Sequence, residues 1–300
     1  YLDGVSSLWT NVHGHGHPRI DAAVRDQLDR MAHSTFLGLT HRPGIELAGR
    51  LLDLVPWGLS RVFYSDNGST AAEVAVKMAF QYQAHISQGH RTLFASLSDA
   101  YHGDTLGAVS VGAIDVFHHT FHPLLFERVV LPAPVEAGGI EEEECLERAL
   151  AVLDDHGDDL AALIVEPLVQ GAAGMKMHSP AFLTTLLARA REHGALLIAD
   201  EVAVGFGRTG TMFAMEQVGV APDLLCLAKG ISAGYLPLAA TLATEAIYAA
   251  FLGSPEENKQ FFHGHTYTGN PLACAAAIAS LDVFEEHDVM GRVRALDKVF

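Results

Sequence analysis

Between Ala195 and Thr241 the chain reads ALLIADEVAVGFGRTGTMFAMEQVGVAPDLLCLAKGISAGYLPLAAT, and no other stretch limits its fold so closely. Two short apolar runs, Ala195–Ala199 and Leu224–Ala228, flank a Gly/Arg/Thr-rich turn and read as buried strands. The first ends on Asp200 and Glu201, the second on Lys229, so each strand delivers charge to the same end of one sheet. An acid and a lysine 29 residues apart in this arrangement have two readings. They can be a capping carboxylate and a solvated lysine, common at the strand ends of α/β proteins. They can also be a chemical pair, the lysine a nucleophile and the acid its electrostatic support. Taken alone, the pair leaves both open.

The remaining chain alternates strands and helices around that stretch. Helical periodicity over Arg19–Met31 and Ile45–Val55 precedes a β-type run at Arg61–Ser65. The turn Asp66-Asn67-Gly68-Ser69-Thr70 then opens a helix from Ala71 to about Gln83. A Gly-Ser turn at a helix N-terminus offers free N–H groups and a favourable dipole to an anion, although a simple Ser/Thr cap is the commoner use of such a turn. Strands are expected over Arg91–Leu97, Ala161–Val165 and Leu238–Thr244. Helices are expected over Ile140–Leu153, Pro180–His193, Glu245–Leu252 and Pro271–Glu286, with a loose linker at Val135–Gly139. This alternation implies a parallel-rich α/β sheet that binds ligands at the carboxyl ends of its strands. Gly68, Ser69, Tyr101, Glu166, Asp200 and Lys229 all fall at that edge. Tyr101 there either stacks on a flat ring or simply packs. Their convergence suits pyridoxal phosphate: a lysine to condense with its aldehyde, and an acid to keep its pyridine nitrogen protonated.

Composition removes whole classes of function. The formal charge of −17, without any Lys/Arg cluster, argues against nucleic acid or an anionic membrane as partner. Hydrophobic residues at 49% and charged residues at 18% favour a packed core over disorder. Cys145, Cys226 and Cys274 show no CxxC spacing and read as buried thiols in a reducing, cytoplasmic setting. Neither a signal peptide nor a run of 18 apolar residues is found, so a soluble protein is expected. The chain starts at Tyr1 without methionine and stops inside a helical pattern at Phe300, as a piece of a longer protein would.

Two histidine-rich segments were weighed as metal sites. His13, His15 and His17 alternate, which in an extended segment puts three imidazoles on one face. No acid or cysteine stands among them, and Gly14 and Gly16 loosen the geometry, so no metal is expected there. In FHHTFH, Phe117 to His122, the pair His118 and His122 has helical metal spacing, but an ordinary exposed turn is the preferred reading.

Several pieces carry a family resemblance: LLIADEVAVGFGRTG, PDLLCLAKGISAGYLPLAA, GVSSLWTNVHGHGHP, SDNGSTAAEVAVKMAFQY, YHGDTLGAVSV, IVEPLVQGAAGM and HGHTYTGNPLACAAA. Over essentially all 300 residues the chain resembles the class III (fold-type I) pyridoxal phosphate aminotransferases. The resemblance implies a mostly parallel central sheet with helices on both faces, plus a small domain largely absent from this chain. It divides the chain into an N-terminal segment 1–45 at the site entrance, a cofactor-binding domain 46–286, and the start of a small domain at 287–300. It makes Lys229 the cofactor-bearing lysine, Asp200 the partner of the pyridine nitrogen, and Gly68 and Ser69 the phosphate holders. Tyr101 would cover the ring, and Glu166 would lend electrostatic support. A homodimer with shared sites is implied, in which His265 and Thr266 reach the other subunit's phosphate and Gly264 lines the substrate pocket. The SSLWTNVHGH and HGHTYTGNP pieces point to the branch acting in biotin biosynthesis on 8-amino-7-oxononanoate, with S-adenosylmethionine or lysine as donor. Relatives acting on ω-amino acids, ornithine or 4-aminobutyrate share most other motifs, and an inactive fragment that keeps the fold is the other alternative. Some relatives carry an aromatic pair where this chain has Leu8-Trp9, which bears on the donor pocket. The family's substrate arginine lies in a small domain beyond residue 300.

Overall fold

The computed structural model describes residues 1–112, 114–134 and 141–296, so the linker expected over 135–139 lies outside the described residues. Nine strands occur among them: β1 Leu59–Ser65, β2 Leu93–Leu97, β3 Arg128–Leu131, β4 Leu160–Val165, β5 Val169–Gln170, β6 Lys176–Met177, β7 Leu196–Asp200, β8 Leu224–Leu227 and β9 Ala239–Thr244. β5 and β6 pair with each other in a small hairpin. The other seven form one sheet in the order β1-β9-β8-β7-β4-β2-β3. Strands β8, β7, β4, β2 and β3 are parallel, while β9 runs antiparallel to both of its neighbours.

The central strands are buried on both faces, so their sequences, LAALIV, LLIAD and LLCL, show no polar alternation. Burial nevertheless sorts their residues by face. Leu196, Ile198, Leu224 and Cys226 pack with Ala71, Ala75 and Ala79 of the helix Gly68–His85. Leu197, Ala199, Leu225 and Leu227 pack with Phe182, Leu183 and Leu186 of the helix Pro180–Glu192. Each buried Leu, Ile or Phe contributes roughly 1.5–3 kcal/mol. The alanines of Gly68–His85 let that helix lie close to the sheet, where the Ala71 carbonyl accepts from Thr241 Oγ1 at 3.0 Å.

The expected strands and helices at Asp200, Lys229, Gly68 and Pro271 are found within a few residues of their predicted bounds. One reading needs correction. Phe117 to His122 is not a simple exposed turn: a short helix Asp115–His118 runs into a 3-10 turn His119–Leu124, and His118 is buried. The cause is Gly112, where a Cβ would stand 3.0 Å from His118 Cε1, so the missing side chain admits the imidazole. Cys145, Cys226 and Cys274 are buried and free. Among the described residues no helix is long and apolar enough to cross a membrane.

Candidate active site

Strand β7 delivers Asp200 into a buried setting at the carboxyl edge. Its Oδ1 accepts the Val202 N–H at 3.0 Å, and its Oδ2 lies 2.7 Å from His102 Nδ1. Both side chains are almost fully buried, so the imidazole is assigned the tautomer that donates from Nδ1. Nothing in the sequence reading singled out His102, although YHGD places it one residue after Tyr101.

Lys229 follows β8 with φ of 47°, in the left-handed region. For a non-glycine residue this costs roughly 1–2 kcal/mol. The turn breaks the strand's alternation at the lysine, which lines the same cavity as Asp200. Its Nζ stands 4.6 Å from the centroid of the Trp9 ring, a cation–π contact. Burial holds the ammonium pKa below the ordinary lysine value; Asp200 and Glu166 oppose this and Arg208 adds to it.

Glu166, just beyond β4, fastens two loops. Its Oε2 accepts the Tyr101 N–H at 3.0 Å and its Oε1 accepts the Gly171 N–H at 3.1 Å. Burial pushes its pKa up to about 7 in spite of these bonds, with Asp200 adding to the rise and His102 opposing it. The Tyr101 hydroxyl donates to Asp104 Oδ2 at 2.8 Å, and burial together with that carboxylate raises the phenol pKa.

At the other end of the cavity Asn67 caps the Gly68–His85 helix in a reciprocal box with Thr70. The turn packs tightly against its neighbours. A Cβ on Gly68 would lie 2.6 Å from Val202 Cγ1, and one on Gly103, whose φ is +123°, would lie 2.0 Å from Ser69 Oγ. Ser69 Oγ accepts the Asp104 N–H at 3.0 Å, which leaves its own proton to donate to an anion.

Leu8 and Trp9 lie in a turn whose four residues Ser6, Ser7, Leu8 and Trp9 all have positive φ, between 48° and 66°. Asp3 accepts from the Ser7 N–H at 2.9 Å and the Ser7 hydroxyl at 2.7 Å, and Arg208 donates to the Trp9 carbonyl at 3.1 Å. These contacts hold the strained turn so that Leu8 and Trp9 form the cavity's outer wall.

Leu8, Trp9, Gly68, Ser69, Tyr101, Glu166, Asp200 and Lys229 thus share one cavity of about 890 Å³, large enough for a cofactor and a small substrate. Gly264, His265 and Thr266 are not among its walls. Instead His265 Nδ1 approaches Asp66 Oδ2 at 2.7 Å. Of the three alternating histidines, His15 turns away, its Nε2 meeting Asp3 at 2.8 Å, while the His13 and His17 rings stay 6.1 Å apart and His13 Nε2 meets Ser280 O and Oγ at 3.1 Å.

This donor set fits pyridoxal phosphate. A half-buried lysine of lowered pKa, a buried carboxylate, an aromatic ring and a helix N-terminus line a single cavity, and the side-chain-free Gly68 leaves room at the anion end.

Comparison with known proteins agrees with the geometry. The chain is 57% identical over 306 residues to the adenosylmethionine-8-amino-7-oxononanoate aminotransferase of Nitratidesulfovibrio vulgaris, covering 98% of this chain and 56% of that protein. The chain therefore spans little more than half the length of that relative. The crystal structure of the enzyme of the same name from Methanocaldococcus jannaschii superposes with a TM-score of 0.93 at 43% identity, over 99% of this chain and 68% of the other. An amine transaminase from an uncultivated Pseudomonas species, solved in its PLP-bound form, matches with a TM-score of 0.90 at 40% identity, over 96% and 67% of the two chains. Residues 1–300 match the family described as aminotransferase class-III, and the chain belongs to that family.

Proposed function

We propose that this chain carries the cofactor site of a transaminase that converts 8-amino-7-oxononanoate to 7,8-diaminononanoate in biotin biosynthesis, taking the amino group from S-adenosylmethionine or lysine. The observation that carries the reading is the meeting of Lys229 and Asp200 in one cavity with Gly68 and Ser69 at its far end. Relatives named for this conversion support it, at 57% identity from Nitratidesulfovibrio vulgaris and 52% from Geobacter sulfurreducens.

Bound pyridoxal phosphate supplies an aldehyde that exchanges amines and a ring that takes up the electrons of a breaking C–H bond. The chain's residues do the rest. Lys229 Nζ would hold the cofactor between turnovers and, once released, would take the proton from the donor's amine-bearing carbon and deliver it to the carbon that carried the cofactor's aldehyde. Its lowered pKa leaves a larger fraction of free amine for that task. Asp200, oriented by His102 and the Val202 N–H, keeps negative charge where the ring nitrogen must stay protonated. Tyr101, whose backbone N–H is held by Glu166, would cover the ring.

The wider frame of the proposal is a cytoplasmic homodimer acting on small molecules. Its site is completed by Gly264, His265 and Thr266 from the second copy. Residues 1–45 form the entrance, 46–286 hold the cofactor, and 287–300 begin the small domain that brings a substrate arginine. Borohydride reduction of the chain incubated with pyridoxal phosphate should place a stable adduct on the peptide containing Lys229, and absence of that adduct would sink the reading. An assay of 8-amino-7-oxononanoate with each donor then selects S-adenosylmethionine or lysine.

A second reading, transfer from a simple amine, draws on the amine transaminase neighbour at 40% identity. Turnover with a simple amine and none with either biotin-pathway donor would select it.

A further inference from the structure

Four carboxyl groups line the cavity, and of the two near Ser69 the Asp104 side chain is bonded by the Tyr101 hydroxyl while Asp66 has no such donor among the described residues. Asp66 lines it beside Asn67, Gly68 and Ser69, at the end where the proposed function puts a phosphate. A carboxylate next to a phosphate dianion weakens binding unless its charge is offset.

The group that meets Asp66 comes from a loop far away in sequence. His265 Nδ1 lies 2.7 Å from Asp66 Oδ2. The approach falls outside hydrogen-bonding angles, so the contact is electrostatic rather than a directed bond. Both side chains are about two-thirds covered, which weakens the screening of their interaction. The loop is fixed in place by several contacts. The His265 N–H donates to Thr268 Oγ1 at 3.0 Å, and the Thr268 N–H donates back to the His265 carbonyl at 3.2 Å. The His263 ring lies edge-on to His265 with centroids 5.1 Å apart, and its Nδ1 is 2.9 Å from Lys77 Nζ. Lys77 belongs to the helix Gly68–His85 that starts at the phosphate turn. The loop therefore grips that helix near its start, through Asp66, and again further along, through Lys77.

We infer that His265 is a positioning residue for its own chain's phosphate turn: it holds the Asp66 carboxylate toward its ring and away from the cavity, so that the Asn67-Gly68-Ser69 end accepts a dianion. This rests on the cofactor reading above and departs from the expectation that His265 serves only the second copy. In its presence the carboxylate is turned to the imidazole; in its absence the carboxylate faces the bound phosphate.

The test compares two ligands that differ only in the phosphate, pyridoxal phosphate and pyridoxal, titrated by absorbance against the same chain. His265→Gln should raise the Kd for pyridoxal phosphate about tenfold, the effect of one carboxylate turned toward the phosphate at moderate screening, with the Kd for pyridoxal held within about twofold. Retained pyridoxal binding also shows that the variant is folded. The double variant Asp66→Asn/His265→Gln should return the phosphate preference to within about threefold of the unsubstituted chain. Equal weakening toward both ligands, or no recovery in the double variant, would overturn the inference and leave a merely structural contact. Failure of the unsubstituted chain to bind either ligand would instead overturn the cofactor reading, and this inference with it.

Discussion

Asp200 and Glu201 are neighbours with the same chemistry at the end of the same strand, and they serve opposite sides of the molecule. Asp200 shares its face with Leu196 and Ile198, turns to His102 and lines the cavity. Glu201 points into the core behind it, fully buried, and accepts the Ala214 N–H at 2.9 Å and the Met215 N–H at 2.7 Å. Burial drives its pKa up to about 8, those two bonds notwithstanding. The alternation of a β-strand is what separates them. On one side a carboxylate is kept where its charge acts on a ligand. On the other, a carboxyl group fixes the loop Val202–Ala214 that closes behind the cavity. The lesson is that the acid's face, rather than its type, decides between chemistry and architecture.

That contrast can be broken at several points. The largest effect belongs to the cavity side. Lys229→Ala should lower turnover by at least about 10³-fold while the thermal midpoint changes little, because alanine keeps the Cβ that the left-handed turn already accommodates; initial rates and a melting curve check both. Asp200→Asn comes next: a turnover loss of about 10²-fold or more, with little change in stability, measured on the same preparations. Glu201→Gln should invert the pattern. Its amide cannot accept both N–H groups, so stability should fall by about 1–2 kcal/mol in a urea titration, while turnover per folded molecule holds. An equal loss of turnover in the Asp200 and Glu201 variants would erase the distinction.

The smallest effect is a slope. Glu201 keeps its proton in the folded chain up to about pH 8, whereas the unfolded chain releases it in the ordinary carboxylate range. The folded state thus binds more protons between those limits, so this contribution to stability is complete at the acid end and declines as pH rises toward 8. Glu201→Gln should flatten urea midpoints across that window, by at most about 1.4 kcal/mol per pH unit at its steepest. An unchanged slope in the variant would show that Glu201 is ionised in the folded chain.

Much of this was legible in the sequence. Apolar runs ending in Asp200 and Lys229 gave their strands away, because a strand covered on both faces has little choice of residue. The Asn67–Thr70 turn announced its helix through capping chemistry. What stayed hidden depended on distant partners. β3 is an edge strand with one face only partly covered, so its pattern is mixed. His102 matters because Asp200, 98 positions later, comes within 2.7 Å. The left-handed turn from Ser6 to Trp9 has no sequence signal, since no residue in it favours positive φ and tertiary contacts impose it. Asp66 carried no motif until His265 was found beside it.

The position of β9 has a consequence for the order of assembly. β1, which leads into the phosphate turn, is hydrogen-bonded in the sheet through β9 alone, with Ser65 opposite Ala239. β9 is also the strand that follows Lys229. As the chain emerges from its N-terminus, the Asn67–Ser69 turn has no sheet to stand on until the lysine-bearing return has been made. The anion grip and the reactive amine therefore mature in one late step, set by the longest loop closure in the sheet. A nascent chain cannot present a finished phosphate cradle before its lysine is in place, and pulse-labelled amides of β1 and β9 should gain protection together.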